Sequence, residues 1–256
     1  MITAEFSKNN DEFGRYSYDE LKAQGWPVDF DFETDATCQK EFLPFIEEQL
    51  KILDGYDHLR DLNSDYYFYE HALNAADDVK NSCMALGLGR RVANNMYYAT
   101  LIHDAGKPEL PPETWDAEGS PTPERKALMR AHVHLGAELF EKNFPVVDHA
   151  FKKLALDIIA NHHERMDGKG ENKIAGADLS MPARLVCIVE DYDGRTHLRP
   201  QHVAEGRKND PASVLDAMER KMVGAFDDDL YQAFKGVKLR QACLAPTPVS
   251  PDVSPL

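Results

Sequence analysis

The chain has 256 residues, a formal net charge of −15 and 43% hydrophobic residues, an ordinary globular composition long enough for one large domain or two small ones. So acidic a surface repels polyanions, which argues against nucleic-acid polymers and anionic membranes as partners; a pocket that gathers cations, lysine or arginine can still take a small phosphorylated ligand. Cys38, Cys83, Cys187 and Cys243 lie far apart, which excludes zinc-finger and CxxC redox chemistry. Together with an N-terminus free of any signal pattern and no span-length apolar run, this leads us to expect a soluble cytoplasmic chain.

Residues 1 to about 40 are acidic, aromatic and broken by Gly14, Gly25 and Pro27. They read as an N-terminal arm wrapped on the main domain or, equally, as a disordered leader. Residues 41–56 carry Phe42, Phe45, Ile46, Leu50 and Leu53 at helical spacing, and 61–65 is a polar break. Residues 66–86 form the next predicted helix, with His71 in its first turns and Gly87-Leu88-Gly89 as its stop. A small-residue helix over 91–103 then delivers His103 and Asp104 side by side at its end, followed by Ala105-Gly106-Lys107-Pro108. Gly106 permits a tight exit and Pro108 forbids further regular helix. Residues 110–123, rich in proline, glycine and acid, read as a surface loop over that motif.

Thr122-Pro123-Glu124 is a helix start, with a capping hydroxyl, proline at the first turn and an acid behind it; this helix carries His132 and His134. Pro145 opens a helix that ends in His162-His163, and 167–176 is a glycine-, lysine- and asparagine-rich loop. Ser180-Met181-Pro182 starts an apolar helix leading into Glu190-Asp191-Tyr192-Asp193, Asp210-Pro211 caps another, and a short one covers 228–234. The tail, 244–256, holds four prolines and no core period and is expected to be disordered. No segment shows strand alternation. The expected fold is all-α: an arm and leading helix over 1–60, one helical domain over 61–240, and a disordered tail over 241–256.

Each candidate ligand lies in or near a helix end, the way a bundle gathers ligands at one mouth. His71, His103, Asp104, His132, His162, His163 and the Glu190-Asp191 pair offer imidazoles and carboxylates without thiolates, a set suited to iron, manganese, zinc or nickel. The Asp104 carboxylate has two oxygens and can bridge two cations. His134 lies on a different face from His132 and reads as bland, as do His58, His149, His197 and His202.

The order His71, His103-Asp104-Ala105-Gly106-Lys107, His132-Val133-His134-Leu135-Gly136, and His162-His163-Glu164-Arg165-Met166-Asp167-Gly168-Lys169-Gly170, followed by an acidic position after Arg184, resembles the HD superfamily of metal-dependent phosphohydrolases. More narrowly, it resembles the HD-GYP branch, over roughly residues 60–236. The resemblance implies an all-helical fold, a centre of two or three metals, and hydrolysis of cyclic di-GMP or a related cyclic dinucleotide. Carried over, His71, His103, Asp104 and the Glu190 or Asp191 carboxylate would hold one ion. Asp104 would bridge to a second ion held by His132, His162 and His163; iron or manganese is expected, with zinc or nickel as alternatives. A shared hydroxide would attack phosphorus, Lys107 would neutralise the phosphate, and Arg199 would contact a second phosphate.

The departures are local. The signature Gly-Tyr-Pro is here Gly170-Glu171-Asn172, which puts cyclic di-GMP specificity in question. Tyr67 stands four before His71, where three-metal members carry a glutamate, so two metals are expected. Ungapped alignment from Arg184 puts Glu190 at the family's metal-binding aspartate; Asp191 would take that place only with a one-residue shift. Other HD-fold proteins, inositol oxygenase among them, resemble the same ligand set, so a di-iron oxygenase stays open beside hydrolysis. A catalytically weak nucleotide-sensing module stays open as well, and so does a homodimer or a signalling partner.

Overall fold

The computed structural model describes residues 12–60, 66–116, 121–197, 206 and 208–244. Arg199, His202 and the proline-rich segment beyond 244 lie outside the described residues. Ten α-helices and no strand occur among the described residues: α1 (Tyr18–Ala23), α2 (Leu43–Asp57), α3 (Phe68–Ala85), α4 (Gly89–Thr100), α5 (Glu113–Asp116), α6 (Pro123–Asn143), α7 (Ala150–Asn161), α8 (Met181–Thr196), α9 (Pro211–Lys221) and α10 (Asp228–Leu244). The fold is all-α, as expected.

The predicted starts at Thr122 and Asp210 are real: each side chain accepts the N–H three residues on, from Arg125 and Ser213. Ser180 does the same for Ala183 at the head of α8. One start went unread. Ser17 and Glu20 form a reciprocal capping box on α1, and the Ser-x-x-Glu spacing was there to be read.

The centre of the molecule is α3 packed along α4, with α7, α8 and α10 closing around them. Ala75, Ala76, Val79, Val92, Ala93 and Met96 are all but inaccessible along this seam, and their small size lets the two helices approach closely. The segment 26–32 packs into the same core through Trp26, Val28, Phe30 and Phe32. Asn95 on α4 holds it there. Its side-chain oxygen accepts the Phe32 N–H at 2.9 Å, and its amide donates to the Pro27 and Phe30 carbonyls at 2.8 Å each.

Several boundaries differ from the sequence reading. The residues read as a surface loop over 110–123 include α5, with Leu110 and Trp115 buried against Phe68. An apolar side chain in a polar stretch outweighed the stretch's composition. The helix placed from Pro145 starts only at Ala150, because the His149 ring nitrogen Nδ1 accepts the Phe151 N–H at 3.1 Å and caps it. The helix expected to end at 234 continues to Leu244, so residues 241–244, assigned to the disordered tail, are helical. Its third turn is held by Lys238, whose ammonium meets the mostly buried Asp78 carboxylate on α3 at 2.8 Å.

Candidate metal centre

His103 and Asp104 do not sit on a helical turn, as their position after an apolar helix suggested. Helix α4 ends at Thr100, and the chain continues in successive tight turns, with His103 N–H donating to the Thr100 carbonyl and Lys107 N–H to the Asp104 carbonyl. Gly106 is needed here for close approach rather than for an unusual φ. A Cβ on it would lie 2.0 Å from the His132 carbonyl oxygen and 2.5 Å from the Gly136 nitrogen. Gly106 and Gly136 therefore let the turn touch the backbone of α6, which brings Asp104 up to His132.

The turn, α3, α6, the end of α7 and α8 converge on Asp104. Its Oδ2 lies 3.2 Å from His71 Nε2 and 3.3 Å from His103 Nε2, while its Oδ1 lies 3.2 Å from His132 Nε2 and 3.6 Å from His162 Nε2. Glu190 Oε2 completes the first group at 3.0 Å from His71 and 3.3 Å from His103, and its Oε1 faces His163 Nδ1 at 3.9 Å. His132, His162 and His163 form one tight group of ligand atoms, and His71, His103 and Asp104 another.

The tautomers are set by the outer hydrogen bonds. The Nδ1 of His103 donates to the Thr100 carbonyl at 2.7 Å, that of His132 to Met129 at 2.6 Å, and that of His162 to Ile159 at 2.9 Å. A carbonyl can only accept, so each neutral ring presents its Nε2 lone pair inward. His71 differs: its Nδ1 donates to Asp193 Oδ2 at 2.6 Å, across the fold. Inside the centre, His71 Nε2 faces His103 Nε2 at 3.0 Å and His132 Nε2 faces His162 Nε2 at 3.1 Å. Facing lone pairs repel unless a proton or a metal ion lies between them. Both Asp104 oxygens and Glu190 Oε2 are buried without a hydrogen bond, which is costly unless positive charge meets them. The two groups of donors thus fit metal binding, with the outer hydrogen bonds that metal-bound histidines ordinarily have.

The electrostatics are uneven. Burial alone would push the His71 and His103 imidazoles down, but Glu190 and Asp104 reverse this, raising His71 well above its usual range and His103 to about 9. Burial, then the neighbouring His163 and His103, hold His162 well below its usual range; burial brings His163 to about 3. Burial would raise both carboxyls, yet the Lys107 and His103 charges hold Asp104 well below the carboxylate range, and His71 does the same for Glu190. Lys107 is itself buried. Its ammonium contacts Asp104 Oδ2, and it lies 4.4 Å above the Phe68 ring.

One of the candidate ligands stands apart. Asp191 does not enter the centre; Arg195 donates to its carboxylate at 2.5 and 3.0 Å, four residues on along α8. Glu190 faces inward instead, and a helix cannot present both neighbours to one point. His134 is exposed and pairs with Glu138 at 3.0 Å. His197, read as a surface residue, packs its ring 4.6 Å from Tyr66 and touches Asp193 Oδ2 at 3.5 Å. Asp193 and Tyr66 were not singled out from sequence. The Tyr66 ring lies 5.4 Å from His71, and burial, then Glu190 and Asp193, push its phenol well above the ordinary range.

Asp35, Cys38 and His149 also come close together, but that trio is already satisfied. Asp35 Oδ1 accepts the Thr37 and Cys38 N–H groups at 2.9 Å, and the His149 nitrogen that accepts from Phe151 leaves the proton on Nε2, facing Asp35 at 3.4 Å.

Residues 57–230 match the HD domain family. The chain belongs to that family. It is 29% identical over 108 residues to a 3'3'-cGAMP-specific phosphodiesterase of Vibrio cholerae, covering 42% of this chain and 20% of that protein. It is 27% identical over 172 residues to a cyclic di-GMP phosphodiesterase of Pseudomonas aeruginosa, covering 67% of this chain and 39% of that one. Each alignment spans less than half of the relative's length. Among solved structures, Bd1817, an HDG"Y"P protein from Bdellovibrio bacteriovorus, superposes with a TM-score of 0.54 at 19% identity, covering 80% of this chain and 64% of that one; at that identity the likeness speaks for the fold. No helix of the described residues is long and apolar enough to cross a membrane.

Proposed function

We propose that the chain is a dinuclear metal-dependent phosphodiesterase acting on a cyclic dinucleotide. The observation that carries this reading is the two-faced Asp104, with one oxygen toward His71 and His103 and the other toward His132 and His162. His71, His103, Glu190 and Asp104 would hold one ion, and Asp104, His132, His162 and His163 the other. When bound, the pair supplies Lewis acidity and a hydroxide at neutral pH.

The remaining work falls to the chain. Asp193 holds the His71 ring by its Nδ1 proton, fixing which nitrogen points inward. Lys107 waits on Asp104 inside an apolar sleeve of Phe68, Trp115 and Tyr66. From there its ammonium can move to a phosphate oxygen and meet the charge that develops in the transition state. A buried ammonium beside the proposed ligands favours phosphate hydrolysis over oxygen chemistry. The relatives named for cyclic di-GMP and cGAMP hydrolysis support the same substrate class. Iron or manganese suits the nitrogen and oxygen donors, with zinc and nickel as alternatives.

The test combines elemental analysis with turnover. Protein loaded separately with iron, manganese, zinc and nickel is offered cyclic di-GMP, cyclic GMP-AMP and bis(p-nitrophenyl) phosphate. Two ions per chain and a linear dinucleotide product are expected. A fully loaded protein that cleaves none of these would refute the reading.

A further inference from the structure

The loop that replaces the family's Gly-Tyr-Pro is held from inside by Glu164. This buried carboxylate accepts the Asn172 N–H at 2.5 Å and the Ile174 N–H at 3.0 Å. Gly170 lies so close that a Cβ there would be 2.5 Å from the Glu164 Cα. The Asn172 side chain is tied as well, donating to the Ala160 carbonyl at 3.2 Å. The backbone on both sides of Glu171 is therefore held, and its side chain is 22% exposed.

Its partner is free to move. Arg130 Nε meets Glu171 Oε1 at 3.2 Å, but the Arg130 side chain is 58% exposed and no other hydrogen bond of its side chain is seen among the described residues. Arg130 lies two residues before His132 on α6. Glu164, which holds the loop, directly follows His163, and the His163 ring lies 5.2 Å from the His132 ring. The loop, and Arg130 paired with it, therefore lie on the His132 side of the metal centre.

We propose that Arg130 is a substrate-specificity residue that receives the second phosphate of a dinucleotide and that Glu171 holds it in reserve until the substrate arrives. This rests on the phosphodiesterase reading and adds a second anchor to it. A phosphate near His132 would draw the exposed guanidinium from the carboxylate, since Arg pairs with phosphate through two parallel hydrogen bonds. The loop backbone on either side of Glu171 is held by Glu164, so the loop does not move away with the guanidinium. The Glu171 carboxylate remains as a negative charge that a substrate must tolerate, so binding energy from Arg130 is partly offset in the wild type.

The experiment is a double-substitution cycle read with cyclic di-GMP, cyclic GMP-AMP, cyclic di-AMP and the single-phosphate bis(p-nitrophenyl) phosphate on metal-loaded protein. Glu171→Gln is expected to lower the cyclic-dinucleotide KM by up to about fivefold, the scale of one half-exposed ion pair, and by less for the single-phosphate probe. Arg130→Gln placed on top of Glu171→Gln is expected to raise it by about tenfold, the scale of a lost charge-assisted phosphate contact. If Arg130→Gln is neutral in that background, Arg130 only screens Glu171 and the proposal is overturned. Equilibrium binding of the same three dinucleotides to the four proteins runs in parallel. A cycle that appears in binding while nothing is cleaved supports the anchor and rejects the phosphodiesterase; no dinucleotide binding by any of the four proteins overturns the anchor.

Discussion

The two sides of Asp104 are built differently. On the His132 side, the His132 and His162 rings are oriented by carbonyls three residues back in their own chain segments, and burial lowers His162 and His163. On the His71 side, Asp104, Glu190 and Asp193 crowd His71, His103 and Lys107, so without a metal the imidazoles hold protons instead. His103 on the His71 side uses the same device with Thr100, but His71 is held instead by Asp193 and faces Glu190, both from α8. That side therefore depends on contacts distant in sequence, and its carboxylates push the imidazoles toward the protonated form. The same residue types thus give two sites of different proton demand.

The largest effect should come from removing what the two sides share. Asp104→Ala is expected to abolish both ions and bring turnover to background, a loss of roughly a thousandfold or more; one ion retained in elemental analysis would show that the sides do not depend on a common bridge. Lys107→Ala should keep both ions and slow turnover about a hundredfold, the scale of one lost charge at a developing oxyanion. Unchanged turnover in a fully loaded variant would take Lys107 out of the chemistry.

Asp193→Asn separates the sides. It should weaken the ion on the His71 side by about 10- to 100-fold and leave the other untouched, as expected for a carboxylate that orients one ligand. Equal weakening at both positions in metal-competition titrations would contradict the assignment.

The smallest effect is the most diagnostic. His103 is raised to about 9 in the fold, so its contribution to the stability of the metal-free protein is complete below about pH 6.5, the unfolded value, and is lost as pH rises through about 9. His163 is lowered to about 3, so its contribution is complete above about pH 6.5 and is lost as pH falls toward about 3. The metal-free melting temperature should therefore fall on both sides of near-neutral pH. Loading the His71 side should release protons up to about pH 9, whereas His163, lowered to about 3 in the fold, has no proton to release near neutral pH. Calorimetric titration in buffers of different ionisation enthalpy would show whether the two steps differ in this way.

What the sequence revealed tracks how local each signal is. His103-Asp104 and His162-His163 announce themselves as neighbours, and the caps at Thr122 and Asp210 are short spacings that fold as written. Asp193 was missed because its partner, His71, is 122 residues away. Yet the helical period held the answer in α8: Glu190 and Asp193 are three apart and share a face, while Asp191 is four before Arg195 and pairs with it instead. The buried Trp115 was hidden by the polar residues around it, and the arm's attachment depends on one asparagine, Asn95, whose sequence context gives no sign of its role.

The contact between Gly106 and Gly136 has a consequence for the choice of ion. The backbone of the turn and that of α6 already touch, with Gly106 leaving no room for even a methyl group beside His132. The gap between Asp104 and His132 therefore cannot be narrowed by moving the helix, and widening it would break a main-chain contact. A cation bound there would be accommodated by side-chain adjustment rather than by helix movement, against ring hydrogen bonds at 2.6 to 2.9 Å. Main-chain packing, as much as donor chemistry, would then set which ionic sizes fit.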